Sequence, residues 1–578
     1  MIKTMIKKSF ITGCLLLIIS NLHGQNQNNL QVLGSSKNAS PHAIDLWRSY
    51  RFGLFIHWGP SAGLGTPQSH SHARKSILNP SGSIPAEEYD LLYKKFNPIK
   101  YNPDNWLKLA HYAGMRYTVF VAKHHDGFCM FKTTQTDYNI MATPYGKDVA
   151  EMFAEATRKE GMALGWQIAP KDWKQPDYNQ TTHDKYNLFY ENLITELSTK
   201  YGPVSVFWFD GIEPVGLDKW KDAPNQVAEI IRKNAPQALL STHGGGPFDF
   251  ISFEQLVGPF DRTQPWEMCE QINPSGWIFN KPMPTFPLRK LLRNLIYTIS
   301  RDGNYLLDIG PMPDGSLYPP DSIRLTEFAD FMKVNAEAIH GTRGGPYRDG
   351  DWGAATCKGR NVYLFISDRV GQEITLPPLS AKVVAAKRLD GKPLSWNSGK
   401  KGINLRFPDR SSEQNPLFIC VKLELDKDAF SLPVIDGQVN LASSSKITPS
   451  SSKDDNSTLN GPQNLFDNNA STVWDTNPKE TLCFLEFDFG KMTDIGSLSF
   501  AQIGQKTGWN NFYKYELKVR NDEKSEWKTI SSQFTCLGGL PVIELEPTKT
   551  RYFRLEIQTN SEKAPIQISE LRIFKPLF

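Results

Sequence analysis

Several things are scarce in this chain. It holds only seven cysteines in 578 residues, and none stands in a CxxC or other metal-type spacing. No HExxH is present, which removes the helical zinc-hydrolase signature. No GxGxxG loop follows the first apolar run, which argues against a dinucleotide-binding sheet. Net charge is slight: 65 basic and 61 acidic residues are interspersed, for a formal +4. That balance gives no electrostatic case for nucleic acid or an anionic membrane surface. Apolar runs long enough to cross a bilayer are missing too, so no membrane insertion is expected.

The longest N-terminal apolar stretch, 10–19, stands behind Lys3, Lys7 and Lys8 and before small and polar residues at 20–25. It reads as a secretory signal peptide over 1–24, so the mature protein is expected to be exported, periplasmic or extracellular. Thr12-Gly-Cys14 has the outline of a lipoprotein box, but the apolar core follows Cys14 instead of preceding it, which argues against lipidation. Six cysteines remain after cleavage: Cys129, Cys269, Cys357, Cys420, Cys483 and Cys536. Export permits disulfides; Cys483 and Cys536 share one region and can pair, or all six can be buried thiols.

What is present organises into three parts. A chain of this length needs two or three domains. Residues 40–347 alternate short apolar runs with amphipathic stretches, the pattern of βα units with a parallel sheet. Residues 348–435 and 441–578 change to short alternating strands, and a Ser-rich stretch at 442–457 reads as linker or first loop. The expected fold class is α/β: a (β/α)8-like barrel, then an antiparallel β-sandwich, then a second β-sandwich of jelly-roll type. A doubly wound sheet is the rival for the first part.

The run Val204-Ser-Val-Phe-Trp-Phe209 ends abruptly in Asp210 and Gly211. A carboxylate just past a buried strand of a parallel barrel sits at the face where such folds do chemistry. The alternative is that Asp210 starts a turn or caps a helix. His57 and Trp58 follow the first apolar run, His124-His125-Asp126 the second, and Glu254 and Glu267 fall later. Acid, imidazole and indole gathered at one mouth suit a sugar, with Trp58 as an apolar wall, and two carboxylates suit glycoside cleavage. The imidazoles and Asp126 could instead ligate zinc, but adjacent histidines on an extended segment are expected to point to opposite sides. A satisfied core pair is the bland reading of His124-His125, and a Ser-His-Asp hydrolase is the weakest reading.

Four motifs carry a resemblance. Phe52-Gly-Leu-Phe-Ile-His-Trp-Gly59, Ala122-Lys-His-His-Asp-Gly-Phe128, Phe207-Trp-Phe-Asp-Gly211 and Asp308-Ile-Gly-Pro-Met-Pro-Asp-Gly315 resemble glycoside hydrolase family 29, the α-L-fucosidases. The resemblance covers 40–425. It implies a retaining mechanism, with Asp210 matching the nucleophile and His57, His124 and His125 the ligands of fucose hydroxyls. No cofactor is implied for catalysis, and the partner implied is a fucosylated oligosaccharide or glycoconjugate. Asp249-Phe-Ile-Ser-Phe-Glu-Gln255 is similar to the segment carrying the acid/base in the subgroup acting on α-1,3/1,4 branches, which puts Glu254 in that role. Glu267, in Pro265-Trp-Glu-Met-Cys269, is the rival and otherwise a substrate-side residue. Arg262 is expected to orient the sugar or to form a surface salt bridge. Glu87 and Glu88 lie near a loop where some members place a glutamate. The chain departs from the family at Gln167 and Ile168, where tyrosines are common, and at Asp308, where asparagine is usual. Such departures point to a possible change of sugar, for example to an α-L-galactoside; a non-catalytic carbohydrate-binding protein is the alternative from another class.

Asn464-Leu-Phe-Asp-Asn-Asn-Ala-Ser-Thr-Val-Trp474, Arg551-Tyr-Phe-Arg-Leu555 and Ile568-Ser-Glu-Leu-Arg572 resemble a discoidin or coagulation factor 5/8 type C domain. Such modules often hold a structural calcium. The resemblance offers Asp467, Asn469, Thr472 and Glu570 as its oxygen donors, the alternative being an Asx-rich turn without an ion. Gln502 and Trp509 are candidates for stacking on a sugar.

Overall fold

The computed structural model describes residues 38–66, 70–211, 222–242, 246–408, 410, 417–453, 460–502, 512–534, 542–559 and 566–577. Residues 1–24, expected from the sequence to be a signal peptide, lie outside them, as do Cys536, Trp509 and the side chain of Gln502.

Eight strands form one parallel sheet: β1 (Phe52–Ile56), β2 (Tyr117–Lys123), β3 (Gly165–Ile168), β4 (Val206–Phe209), β5 (Leu239–Leu240), β6 (Ile251–Glu254), β7 (Trp266–Gln271) and β8 (Asn304–Ile309). Their order is β5-β4-β3-β2-β1-β8-β7-β6, and the two edges, β5 and β6, meet only at an isolated bridge between Ser241 and Phe250. The sheet is therefore curled but incompletely closed. Helix α1 (Pro41–Tyr50) precedes β1; α2 (Pro103–Tyr112), α3 (Val149–Lys159), α4 (His183–Thr199) and α5 (Ala223–Asn234) follow the first four strands. Helices α6 (Leu288–Ser300) and α7 (Pro319–Asn335) follow β7 and β8. Among the described residues no helix separates β5, β6 and β7, so the regular eightfold barrel expected from the sequence is corrected to a curled sheet missing two crossover helices. The connections explain it. The first is short and carries Gly244-Gly-Gly-Pro247; the second carries Gly258-Pro259 and ends at Pro265, and neither composition favours a helix.

The strands read as buried because they are buried: every residue of β1, β2, β4 and β8 is enclosed. Gly53 in β1 permits one crossing of the barrel floor, since a Cβ there would lie 2.4 Å from the Tyr117 ring. The helices start where side chains cap them: Ser40 accepts from Ala43 N, and Asp148 from Ala150 N and Glu151 N.

Beyond the barrel, a five-stranded and a three-stranded antiparallel sheet share one apolar core that includes Leu364, Val421, Leu376 and Leu405. Among the described residues, the C-terminal strands are hydrogen-bonded into one seven-stranded antiparallel sheet. Its long strands, Leu482–Gln502 and Ile543–Thr559, shift register between Asp488 and Thr493 and between Ile495 and Ser497. Bulges of this kind bend a strand, and one sheet thereby wraps a core of Trp474, Leu485, Phe553 and Ile568. The region is clamped by charge to the start of the middle β-region, and through Asp349 to the barrel's Arg301. Arg301 donates to both oxygens of Asp349, at 3.0 and 2.7 Å, and Arg572 to one of them at 3.1 Å. Arg348 pairs with Glu570 at 2.7 Å. Cys129, Cys269, Cys357, Cys420 and Cys483 are buried free thiols.

Candidate active site

A cavity opens at the C-terminal ends of the parallel strands. Phe55, His57, His70, His72, His124, His125, Trp208, Asp210, Glu254, Cys269 and Trp277 line it. Asp210 is the first residue past β4, His57 the first past β1, and Glu254 the last of β6. His124 and His125 follow β2 directly, where the chain leaves the strand and turns. That turn overrides the expectation that adjacent histidines diverge. The two rings lie 4.2 Å apart and both present Nε2 to Asp210 Oδ2, at 2.8 and 3.3 Å. Gln167 Nε2 donates to the same oxygen at 3.2 Å. Among the described residues no donor takes Oδ1.

The two pocket carboxyls have opposite protonation tendencies. Burial alone would raise Asp210, but the neighbouring His125 and the hydrogen bonds from His124 and His125 outweigh it and hold the carboxyl well below its usual range. Glu254 is pushed up to about 8, by desolvation first and by the Asp210 charge second. Burial lowers His124, and Ser71 Oγ meets its Nδ1, so its Nε2 carries the proton it gives to Asp210. His57 Nδ1 lies 2.7 Å from Asp308 Oδ1, and burial raises Asp308 to about 7.

Other expected site residues lie elsewhere. Trp58 is core: it packs against Phe96, Tyr101 and Trp106, and its indole donates to Met312 O. Trp208 and Trp277 provide the apolar wall in its place. Glu267 is fully buried in the barrel interior, accepting from Tyr117 OH at 2.5 Å and Trp208 Nε1 at 3.0 Å, so it holds a wall residue and does not line the cavity. Arg262 is spent on the carbonyls of Gly344 and Phe430 and stacks on the Phe430 ring, which removes it from the sugar site. Asp126 accepts from Tyr89 OH and Phe128 N. Glu87 and Glu88 are exposed on a short helix. Gly59-Pro-Ser-Ala-Gly63 does spell the Gly-x-Ser-x-Gly spacing of a serine hydrolase, but it leads directly into no α-helix among the described residues, only to a four-residue 3-10 helix at His70–Ala73, and Ser61 is buried and does not line the cavity. The sequence did not single out His70 and His72, which stand on a four-residue 3-10 helix too short to show a periodic pattern; two histidines two residues apart were the only signal.

The side chains of the two metal readings are engaged with one another or with other groups. His124, His125 and Asp210 form the only ligand cluster of three or more among the described residues. Yet Nε2 and Oδ2 at 2.8 Å are closer than the ~3.3 Å edge expected of a tetrahedron with zinc bonds near 2.0 Å. In the C-terminal region Asp467 accepts from Asn469 N and Thr472 Oγ1, closing an Asx-type turn on itself. Glu570 is taken by Arg348, so the four residues do not fit one calcium cage.

A family model described as Alpha-L-fucosidase matches residues 18–337, and one for the F5/8 type C domain matches 446–571. Alpha-L-fucosidase 1 of Arabidopsis thaliana is 26% identical over 341 residues, covering 52% of this chain and 63% of the plant protein, so the chain spans just under two thirds of that relative. The structure of alpha-L-fucosidase isoenzyme 1 from Paenibacillus thiaminolyticus is 28% identical, with a TM-score of 0.60, covering 68% of this chain and 100% of that one. A Bacteroides thetaiotaomicron alpha-L-fucosidase trapped as a covalent intermediate with 2-fluoro-fucosyl fluoride has a TM-score of 0.59 at 21% identity, covering 68% and 100%; that likeness speaks for the fold alone. With more than half its length matched by one family model, the chain belongs to the alpha-L-fucosidase family of glycoside hydrolases and carries an F5/8 type C domain at its C-terminal end.

Proposed function

We propose that the protein is a retaining exo-α-L-fucosidase that releases terminal α-linked L-fucose from glycans, on α-1,3/1,4 branches, by double displacement. One observation carries the reading: an ionised Asp210 and a protonated Glu254 line the same cavity. Two carboxyls with their protonation driven apart are what a nucleophile and an acid require. Asp210 Oδ1 attacks the anomeric carbon while Oδ2 stays in the grip of its three N–H donors. Glu254 gives its proton to the leaving glycosidic oxygen. Glu254, now ionised, deprotonates water, which attacks the anomeric carbon and frees Asp210. His57, His124 and His125 surround the ring hydroxyls, and Trp208 and Trp277 face its apolar side. The leader at 1–24 supports export to the periplasm or beyond.

Azide separates the two roles. Asp210→Ala is expected to lose turnover of an aryl α-L-fucoside and to regain some with azide, giving the β-fucosyl azide. Glu254→Ala with an activated leaving group should give the α-azide. Near wild-type turnover in Asp210→Ala, or no azide product from either variant, overturns the assignment. Gln167 favours a second reading of the sugar: it is buried beside Asp210 with its Oε1 unpartnered, a polar group where the family resemblance expects tyrosine. Faster release from an aryl α-L-galactoside than from the fucoside would establish that reading.

A further inference from the structure

A short 3-10 helix after β1, His70–Ala73, places His70 in the cavity lining with one ring nitrogen unpartnered. His70 adopts φ +50°, a left-handed conformation uncommon for a residue with a side chain. Strain of this kind persists where the surroundings impose it and gathers at binding sites. Its ring is wedged between two others, 4.2 Å from His124 and edge-on to His57 at 5.7 Å. Ser71 N donates to His70 Nδ1 at 2.8 Å. A nitrogen that accepts a hydrogen bond from a backbone N–H carries no proton, so in the neutral ring the proton sits on Nε2. Burial, and then the surrounding imidazoles, keep the ring neutral. His70 is 7% exposed, and its Nε2 has no partner. A buried N–H without an acceptor is costly, and the cost disappears when a ligand oxygen meets it.

We propose that His70 is a sugar-binding residue whose Nε2–H, fixed in that tautomer by Ser71 N, donates to one ring hydroxyl of the bound glycoside. This deepens the fucosidase reading and rests on it for the identity of the sugar. The hydrogen bond has one direction only: His70 offers a proton and cannot take one. The site therefore needs an oxygen acceptor at that position, and a deoxy sugar lacking it leaves Nε2 buried and unsatisfied. Ser71 serves two rings at once, through its backbone N to His70 and through Oγ to His124 Nδ1.

The test is a set of aryl α-L-fucosides, the parent and its 2-, 3- and 4-deoxy analogues, assayed with wild type, His70→Phe and His70→Gln. His70→Phe keeps a ring of similar size and removes the donor; His70→Gln places an amide N–H near the original Nε2. On the parent, His70→Phe should lose about tenfold or more in kcat/KM, mostly through KM, and His70→Gln should recover part of it. On one deoxy analogue wild type and His70→Phe should differ by less than about twofold, because the acceptor is already gone. Equal loss on all four substrates, or no loss on the parent, overturns the proposal. Histidine 15N NMR of the wild-type protein tests the tautomer without turnover: the resonance absent from His70→Gln must report Nε2–H, and an Nδ1–H signature overturns it. If wild type cleaves no aryl fucoside, the functional reading fails by itself and the NMR still decides the tautomer.

Discussion

Two carboxyls, Asp349 at the seam with the C-terminal region and Glu254 lining the cavity, are both desolvated and end in opposite states. Asp349 is held well below the usual carboxylate range because, against the upward push of burial, Arg301 and Arg572 face it and donate to it. Glu254 meets an anion, Asp210, and rises to about 8. Desolvation penalises any buried charge, so the partner's sign decides whether it survives. At the seam the charges are matched and the result is attachment. In the cavity the match is withheld, and the result is a carboxyl that can release a proton near neutrality.

The comparison breaks most severely at the seam. Asp349→Ala leaves Arg301 and Arg572 buried with their main acceptor gone. Such a change is expected to cost about 3–5 kcal/mol of stability, measured by denaturant unfolding, while kcat of the folded fraction stays near wild type. Loss of less than about 1 kcal/mol would show that the seam is screened by solvent.

Glu254→Gln sharpens the other side. The glutamine cannot deliver a proton, so cleavage of a poorly activated fucoside should fall about a hundredfold or more. In wild type, activity needs Glu254 protonated and falls as pH rises through about 8; the acid limb, set by ionised Asp210, lies below the ordinary carboxylate range. The variant should lose the alkaline limb. Stability follows the same group. From 4.5, the ordinary value, up to about 8, the native state keeps a proton that the unfolded chain has released, so stability declines with rising pH across that window. The variant's stability should be flatter there.

Glu267 tests whether a raised carboxyl is enough. Burial lifts it to about 8 as well, yet it sits beneath the cavity, accepting from Tyr117 and Trp208. Glu267→Gln is therefore expected to cost less than about tenfold in kcat/KM, through a loosened Trp208, and to leave the alkaline limb in place. A vanished limb would transfer the proton-donor role to Glu267.

What was legible in the sequence follows from the same physics. Asp210, His57, His124 and His125 stand where an apolar run stops, and a run buried in a parallel sheet delivers its next residue to the mouth. Glu254 ends a strand of only four residues that periodicity does not reveal; a family motif located it. His70 and His72 belong to no run, and their role arises from rings contributed by β1 and β2, far away in the chain. Trp58 and Glu267 carry the right chemistry one step from the cavity, a difference of side-chain direction that spacing does not encode. The missing helices around β6 were written in glycine and proline, but their consequence, an open edge between β5 and β6, depends on the whole ring. Glu570 looked like a calcium ligand because its partner, Arg348, lies 222 residues away.

The smallest expected effect separates a matched charge from a merely polar turn. Asp467 is exposed to solvent, and its oxygens accept from Asn469 N at 2.9 Å and Thr472 Oγ1 at 2.6 Å. Hydrogen bonds within an exposed turn compete with water and contribute little net stability. Asp467→Ala should therefore change unfolding free energy by about 0.5 kcal/mol or less. A chelator should leave the melting temperature of the wild type where it was. A tightly held calcium would behave otherwise, because an ion bound only to the folded state raises stability with its free concentration. A melting temperature that climbs with added calcium, and no longer does so in Asp467→Ala, would mean the turn opens to coordinate an ion and that Glu570 leaves Arg348 or is replaced by another donor.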